Sequence, residues 1–363
     1  MRFNSFILQI FFLLLFLSQT KAQTKNFISH KSTNIRYEGR IGTKENKAAE
    51  LYWSGTSIKV NFKGTGLKAL MQHNTRDNFY NIIIDGKDIV KINPDTAKKF
   101  YMLASNLKPG NHTLEIYKIT EWDKGRAWFY GLELDKGTKL LAAPPAKKRK
   151  IEFYGNSITC GYGALDYSGN DSGAGQFENN YLSYAALTAR HFNAEANYIA
   201  KSGIGITVSW FPLTMPEMYD RIDPQDPQSK WDFAQYTPDI VVVNLFQNDS
   251  WLVNRPEHEQ FKARFGSKGP EEETIVTAYY QFVKALREKY PQAHIICALG
   301  NMDATKEGAP WPGYITSAVA RLNDKKMYTH FFPYKNTPGH PRVEEQKAMG
   351  DSLIGFIEKN IKW

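Results

Sequence analysis

The stretch KIEFYGNSITCGYG, residues 150–163, decides the fold of the second half of the chain. Its first six residues indicate a buried strand that ends in a glycine turn, and the residues from Ser157 onward begin a helix. The turn offers Ser157, Thr159 and Cys160 within four positions. A strand that leads directly into a helix is typical of α/β domains with a parallel sheet.

The alternation of strands and helices continues to the end of the chain. Continuous apolar runs at 239–246 and 293–300 are typical of strands buried on both faces, and a segment with helical spacing lies between them. The sequence therefore predicts an α/β domain over residues 151–363, with a parallel sheet and helices on both of its faces. Such sheets bind ligands at the carboxyl ends of their strands.

The first half of the chain has a different pattern. The segment SIKVNFKG at 57–64 alternates apolar and polar residues, and similar short strands recur up to residue 134 with glycine-containing turns between them. This pattern predicts an antiparallel, jelly-roll-like β-sandwich over residues 23–141. The proline- and lysine-rich segment at 142–150 is a predicted linker between the two domains.

The N-terminus has the pattern of a secretory signal peptide. Arg2 precedes the apolar run FILQIFFLLLFL at 6–17, and small residues follow at Thr20 and Ala22. The run is shorter than the ~20 apolar residues of a membrane-spanning helix. We therefore expect residues 1–22 to be cleaved and the mature protein to be secreted or periplasmic, without stable membrane insertion. A retained N-terminal anchor is the alternative.

Charge and cysteine content exclude several classes of partner. The net charge of +9 is spread along the chain, and the densest basic run, KKRK at 147–150, falls in the predicted linker, so we expect no nucleic-acid partner.

Two cysteines, Cys160 and Cys297, make no disulfide framework, although one bridge and two separate buried thiols both stay open. The histidines lack metal-site spacing, so no metal or cofactor is expected. We expect a monomer.

Four short polar blocks fall at the ends of predicted elements. Ser157 follows the first strand of the α/β domain, Gly203 lies in KSGIG, Asn248 lies in NLFQND, and His340 lies in GHP before the last helix. Each block alone is typical of an ordinary turn. Together they supply what acyl transfer needs, namely a nucleophile, a base and donors for an oxyanion.

In this order the blocks resemble those of the SGNH, or GDSL-like, hydrolase superfamily. The resemblance covers residues 151–360 and implies a flavodoxin-like sheet, with Ser157 as the nucleophile and His340 as the general base and acid. It also implies an oxyanion hole formed by the backbone N–H groups of Ser157 and Gly203 and by the side chain of Asn248. Cys160 is then expected to be a packed residue of the first helix.

A narrower resemblance adds a substrate class. The first block, the segment MPEMYDR at 215–221 and the sandwich ahead of the hydrolase domain are together similar to carbohydrate esterase family 2. That resemblance implies a secreted esterase that removes O-acetyl groups from plant polysaccharides such as xylan and glucomannan. Acetylated polysaccharide or oligosaccharide is therefore the expected partner.

Three positions depart from the superfamily pattern. Asn156 stands where aspartate is common, and because it only flanks the nucleophile we expect the chemistry to be kept. Thr337 stands where an aspartate usually precedes the catalytic histidine by three residues, so we expect a Ser–His dyad. A backbone carbonyl, Thr337 Oγ or Asn336 would then accept the other ring N–H of His340. Phe246 stands where glycine is common, and we expect it to narrow the approach to Asn248.

Tryptophans are the candidate sugar-binding residues, because flat aromatic faces cover the apolar C–H patches of sugars. Trp210, Trp251 and Trp311 each follow a predicted strand, although each could equally belong to the core. Two other functions stay open. One is an SGNH esterase acting on a lipid, a thioester or an acetylated sialic acid, and the other is a non-catalytic carbohydrate-binding protein.

Overall fold

The computed structural model describes residues 26–44 and 47–363. The predicted signal peptide at 1–22 lies outside these residues. Within the described ranges, none of the helices combines the length and the apolar character that crossing a bilayer requires.

The N-terminal half consists of short strands. Their bounds are β1 (Asn26–Ser29), β2 (Arg36–Glu38), β3 (Ile41–Gly42), β4 (Ala49–Leu51), β5 (Ser57–Gly64), β6 (Leu67–His73), β7 (Tyr80–Ile84), β8 (Asp88–Ile92), β9 (Lys99–Ala104), β10 (Gly110–Lys118), β11 (Ala127–Leu134) and β12 (Lys139–Leu140). They form two antiparallel sheets, ordered β3-β4-β11-β6-β9 with β1 beside β11, and β12-β5-β10-β7-β8 with β2 beside β5. The predicted antiparallel sheet domain is thus confirmed.

Alternation within the strands explains why the two sheets pack face to face. In β6, Leu67, Ala69 and Met71 are fully buried while the residues between them are half-exposed. In β5, Val60 and Phe62 are buried in the same way and belong to the same hydrophobic core. Successive side chains of a strand point to opposite faces, so this period of two places one face of each sheet in a shared core.

The C-terminal half contains a second, parallel sheet. Its strands are β13 (Lys150–Gly155), β14 (Glu195–Ala200), β15 (Ile240–Asn244), β16 (His294–Leu299) and β17 (Met327–Phe331). Its helices are α1 (Ser157–Cys160), α2 (Tyr184–His191), α3 (Met215–Met218), α4 (Gln247–Leu252), α5 (Glu259–Phe265), α6 (Glu272–Lys289), α7 (Trp311–Leu322) and α8 (Val343–Asn360). The strand order β14-β13-β15-β16-β17 is the flavodoxin-like order, which confirms the predicted fold class.

The sheet is buried on both faces. Val241 and Val243 of β15 belong to the hydrophobic core that includes α6 and α7, and Val242 belongs to the core that includes α2 and α8. All three are 0% exposed. This two-sided burial explains why these strands are continuous apolar runs in the sequence. The strand order reverses beside β13, so the carboxyl end of β13 lies at the topological switch point, where such sheets bind ligands.

The sandwich packs directly against the α/β domain. The buried guanidinium of Arg40 donates to the Glu152 carboxylate at 3.2 Å and to the Tyr219 carbonyl at 2.6 Å. The indole N–H of Trp53 donates to the Ile222 carbonyl at 2.8 Å. A buried charge is tolerated only when it is paired and hydrogen-bonded, so these contacts fix the two domains to one another.

Candidate active site

Ser157 begins α1 directly after β13 and is 5% exposed. The preceding Asn156 caps this short helix, because its side-chain oxygen accepts the Ile158 N–H at 3.0 Å. Gly155 is required at the end of the strand, since a Cβ there would lie 2.0 Å from Thr159 Oγ1. Thr159 itself contacts the Tyr184 hydroxyl at 2.9 Å and so belongs to the support of this turn.

His340 lies in the segment between β17 and α8 and reaches Ser157. Its Nε2 is 2.8 Å from Ser157 Oγ, a hydrogen-bonding distance. Its ring packs on Tyr162 with the ring centroids 4.4 Å apart. The structure therefore brings together the serine and the histidine that the sequence singles out, although 183 positions separate them in the chain.

A carboxylate completes this arrangement, and the expected Ser–His dyad is wrong in this respect. Asp171 Oδ2 lies 2.7 Å from His340 Nδ1, and Asp171 Oδ1 accepts the His340 backbone N–H at 2.9 Å. Thr337 instead donates its hydroxyl to Glu345 and accepts a hydrogen bond from Lys335 at 2.6 Å. The orienting group comes from the loop after α1, 169 positions before the histidine, so the local spacing around His340 could not reveal it.

Close contacts hold Asp171 in place. Arg342 Nη1 lies 3.2 Å from Asp171 Oδ1 and donates to the Gly163 carbonyl at 2.7 Å. Gly339 is required beside it, because a Cβ there would lie 2.9 Å from the Asp171 carboxylate and the Gly339 φ is +71°. Burial alone would raise the pKa of Asp171, but hydrogen bonds from His340 and Arg342 hold it below its ordinary value. Asp171 is therefore an anion facing the imidazole.

The sequence contained only a weak signal for Asp171. The glycine- and serine-rich loop between α1 and α2 carries Asp166 as well as Asp171. Asp166 is used within the loop, where its carboxylate accepts the Ser168 hydroxyl at 2.5 Å and the Ser172 N–H at 2.6 Å. Asp166 precedes Tyr167 and Asp171 precedes Ser172 in the same loop, and neither lies in a pattern that marks it as functional, so only the folded path of the loop distinguishes them.

The predicted oxyanion donors lie around the same serine. The Ser157 and Gly203 backbone N–H groups have no hydrogen-bond partner in the part of the chain that the structure describes. Asn248 Nδ2 donates to the Ile204 carbonyl at 2.8 Å, while its Oδ1 accepts the Trp210 indole N–H at 3.0 Å. These two contacts fix the orientation of the amide and leave its second N–H for a ligand.

Gly203 has a φ of +83°, and its loop depends on Asp249, a residue that sequence reasoning did not single out as functional. The fully buried Asp249 carboxylate accepts backbone N–H groups from Ile206 and Val208, and both the N–H and the hydroxyl of Thr207 at 2.6 Å. Burial raises the pKa of Asp249, and these hydrogen bonds oppose that rise. The carboxylate thus anchors the loop that follows β14.

An open cleft of about 500 Å³ lies over these groups. Trp210 and Trp251, two of the three tryptophans that the sequence suggests for sugar binding, both line it. Trp251 is held by its indole N–H, which donates to Asp303 Oδ2 at 2.9 Å. Arg255 also lines the cleft, with its guanidinium carbon 5.1 Å from the centre of the Trp210 ring.

Trp311 does not line the cleft, so its prediction as a substrate-binding residue is wrong. It is 5% exposed at the start of α7 and packs in the hydrophobic core, 5.1 Å from the ring of Phe246. Phe246 is itself fully buried, with its ring against Tyr279 at 4.8 Å. Its φ of +85° is the left-handed conformation that favours glycine, which allows its side chain to turn into the core. The expected narrowing of the approach to Asn248 therefore does not occur.

The cysteines are free thiols. Cys160 and Cys297 are both buried, and no disulfide joins them. Cys160 Sγ lies 3.7 Å from Glu121 Oε2, and burial raises its pKa well above the ordinary thiol value. A thiol of this kind is unreactive. Over residues 26–44 and 47–363, no cluster of histidine, cysteine and acidic residues is suited to hold a metal ion.

Comparison with protein families divides the chain at the same place as the structure does. Residues 37–144 match the model described as Carbohydrate esterase 2 N-terminal. Residues 153–326 match the GDSL-like Lipase/Acylhydrolase family.

Curated relatives match over both domains. Cellulase/esterase CelE of Acetivibrio thermocellus is 34% identical over 340 residues, which are 91% of this chain and 40% of that protein. An acetylxylan esterase / glucomannan deacetylase of Cellvibrio japonicus is 24% identical over 354 residues, which are 95% of this chain and 94% of the relative. The chain thus spans less than half of the first relative and nearly all of the second.

Solved structures match over the same length. A family two carbohydrate esterase from Clostridium thermocellum in complex with cellohexaose aligns with a TM-score of 0.80 and 33% identity, covering 90% of this chain and 98% of that one. A carbohydrate esterase family 2 enzyme from Corynascus thermopiles aligns with a TM-score of 0.79 and 26% identity, covering 91% and 100%.

Proposed function

Because this chain belongs to carbohydrate esterase family 2 and is a GDSL-like ester hydrolase, we propose that it removes O-acetyl groups from plant cell-wall polysaccharides of the xylan or glucomannan type. The observation that carries this proposal is the continuous contact from Ser157 Oγ through His340 to Asp171 beside an open cleft. The names of the Cellvibrio japonicus relatives, acetylxylan esterase / glucomannan deacetylase, support the substrate class.

The first step is attack by Ser157 on the acetyl carbonyl. His340 Nε2, 2.8 Å from Ser157 Oγ, accepts the hydroxyl proton as the new C–O bond forms. This requires Nε2 to be unprotonated beforehand. Asp171 meets that requirement, because its carboxylate accepts a hydrogen bond from Nδ1–H, which keeps the ring proton on Nδ1 and leaves Nε2 unprotonated. The same anion stabilises the imidazolium that forms.

Negative charge then develops on the acetyl oxygen. The Ser157 N–H, the Gly203 N–H and the second N–H of Asn248 supply three donors for it. Donors already oriented before the reaction need no reorganisation, and losing one of them typically costs ~10²–10³ in rate. The contacts of Asn248 with Ile204 and Trp210 provide this prior orientation.

Collapse of the tetrahedral intermediate releases the sugar hydroxyl, which takes its proton from His340. Water then attacks the acetyl-serine with His340 again as the base, and acetate leaves as Ser157 regains its proton. Bond formation, proton transfer and release all involve Ser157 and His340, so the cycle returns these side chains to their starting state.

The cleft suits a polymer that carries small acyl groups. It is open to solvent, and the rings of Trp210 and Trp251 are in a position to cover the C–H faces of sugar units next to the acetylated one. We propose further that the protein acts outside the cytoplasm, because the sequence at 1–22 has the form of an export signal. We also propose that it acts as a monomer, because Ser157, His340 and Asp171 all come from one chain.

The test compares Ser157→Ala and His340→Ala with the unmodified protein. We expect each substitution to abolish hydrolysis of 4-nitrophenyl acetate and acetate release from acetylated xylan and glucomannan. Esters with acyl chains of two to twelve carbons provide the second arm. A preference for long chains over acetate would favour the lipid alternative, and full activity of both variants would remove Ser157 and His340 from the mechanism.

A further inference from the structure

A segment of the sandwich lies against the residues that carry the oxyanion donors. It joins β10 to β11 and contains Glu121, whose side chain is fully buried. A carboxylate with no exposure to solvent is costly unless it is paired and hydrogen-bonded. Its partners therefore indicate what this acid does.

Over the described residues, the contacts of the Glu121 carboxylate converge on one oxygen. Oε2 accepts the Ser202 backbone N–H at 2.7 Å and lies 3.7 Å from Cys160 Sγ and 3.5 Å from Lys201 Nζ. Its other oxygen, Oε1, has no hydrogen-bond partner among residues 26–44 and 47–363. The acid is thus placed with one oxygen directed at three groups of the α/β domain.

Those groups flank the oxyanion donors. Ser202 directly precedes Gly203, so the hydrogen bond at 2.7 Å holds the peptide unit next to the Gly203 N–H. Cys160 ends the short helix that Ser157 begins. A single carboxylate of the N-terminal domain therefore contacts both backbone segments whose N–H groups face the cleft.

The surroundings of Glu121 keep it fixed. Lys118 Nζ donates to the Glu121 carbonyl at 3.1 Å, and the Glu121 N–H donates to Glu178 Oε1 at 2.5 Å. Lys201 is also held by Asp123, with Nζ 2.6 Å from Oδ2. Burial and then the nearby Glu121 raise the pKa of Glu178 well above its usual value, which favours the neutral acid there.

We propose that Glu121 is a positioning residue of the esterase site, through which the sandwich domain sets the geometry of the oxyanion hole. The inference rests on the proposed function, since it presupposes attack by Ser157. It gives the sandwich a part in the reaction that is independent of any binding of glycan. A misplacement of about 1 Å in a catalytic group can cost ~10²-fold in rate, so a second-domain side chain at this distance can control turnover.

Two conservative substitutions distinguish the effect of the side-chain length at position 121 from the effect of its charge. Glu121→Gln keeps the length of the side chain, and its amide oxygen can take the place of Oε2 while its NH₂ takes the partner-free place of Oε1. Glu121→Asp keeps the charge but withdraws it by one methylene, about 1.5 Å, which breaks the 2.7 Å contact with Ser202. Positioning therefore predicts more activity in the glutamine variant than in the aspartate variant.

A matched control breaks another ion pair between the domains. Arg126 Nη2 lies 2.8 Å from the Asp223 carboxylate, and neither residue contacts Ser202, Gly203 or Cys160. Arg126→Gln therefore tests the effect of a weakened interface without a change at the oxyanion loop. Thermal unfolding is measured for every variant, so that a loss of folded protein is not mistaken for a loss of catalysis.

The assay is steady-state hydrolysis of 4-nitrophenyl acetate by the full chain, with kcat and KM determined separately. We expect Glu121→Asp to lower kcat by about 10- to 100-fold at nearly unchanged KM, and Glu121→Gln and Arg126→Gln to stay within about tenfold and twofold of the unmodified protein. The inference is overturned if the aspartate variant keeps its kcat, or if the glutamine variant is the weaker of the two. Equal losses in the aspartate and Arg126 variants would overturn it too. An active Ser157→Ala variant would instead overturn the proposed function.

Discussion

The substitution Asp171→Asn tests whether catalysis uses a Ser–His–Asp triad or the Ser–His dyad that the spacing around His340 suggests. The carboxylate receives three hydrogen bonds, from His340 Nδ1 at 2.7 Å, the His340 backbone N–H at 2.9 Å and Arg342 Nη1 at 3.2 Å. The last two converge on Oδ1. An asparagine at 171 has only one oxygen, and these two donors hold it at the Oδ1 position.

The amide NH₂ would then face His340 Nδ1. Because an NH₂ group only donates, Nδ1 would have to accept, and the ring proton would move to Nε2. Nε2 could then no longer take the proton of Ser157 at the start of the reaction. A histidine held in the wrong tautomer typically costs ~10⁴ in kcat, which corresponds to about 5.5 kcal/mol of transition-state stabilisation. We expect a loss of ~10³–10⁴ here.

The measurement is kcat for 4-nitrophenyl acetate, with circular dichroism and thermal unfolding to establish that the variant is folded. Thr337→Ala is the matched control, because Thr337 contacts Glu345 and Lys335 and not His340. We expect that variant to stay within about twofold of the unmodified protein, since no group that touches the reacting atoms changes. A kcat within tenfold of the unmodified protein for Asp171→Asn would refute the reasoning, and a large loss in Thr337→Ala would restore the role expected for that threonine.

The tryptophans and a buried histidine give the remaining predictions. Trp251→Ala should lower kcat/KM for acetylated polysaccharide about tenfold while leaving 4-nitrophenyl acetate hydrolysis nearly unchanged, because only the polymer reaches its ring; equal losses on both substrates would contradict this. Trp311→Ala should instead destabilise the fold by about 3–5 kcal/mol in denaturant unfolding, since its ring fills the core. Burial and the nearby Lys118 lower the pKa of His73 to about 4, below the unfolded value of about 6.5. As the pH falls, His73 is therefore protonated in the unfolded chain before it is protonated in the folded one. The stability that the neutral His73 gives the folded state is therefore complete above pH ~6.5 and is lost towards pH 4, by up to about 3 kcal/mol. His73→Gln should flatten the pH dependence of the unfolding free energy across that window.

The fold could be predicted from the sequence because its determinants are local. In β6 the period of two places Leu67 and Met71 on one face, and in β15 a run of apolar residues marks a strand covered on both sides. The polar blocks at Ser157, Gly203 and Asn248 follow strands that end at the same edge of a parallel sheet. Parallel strands bring their carboxyl ends together, so their meeting follows from the strand pattern alone.

The sequence by itself thus determined the two domains, the order of their elements and the neighbourhood of Ser157 and His340. Only the tertiary structure decided that Asp171 orients the histidine, that Trp311 belongs to the core and that Glu121 of the sandwich contacts the oxyanion loop. The reason is physical. Periodicity reports which face of an element is buried, but the direction of a single side chain and its contact with a partner far along the chain depend on how loops and domains pack.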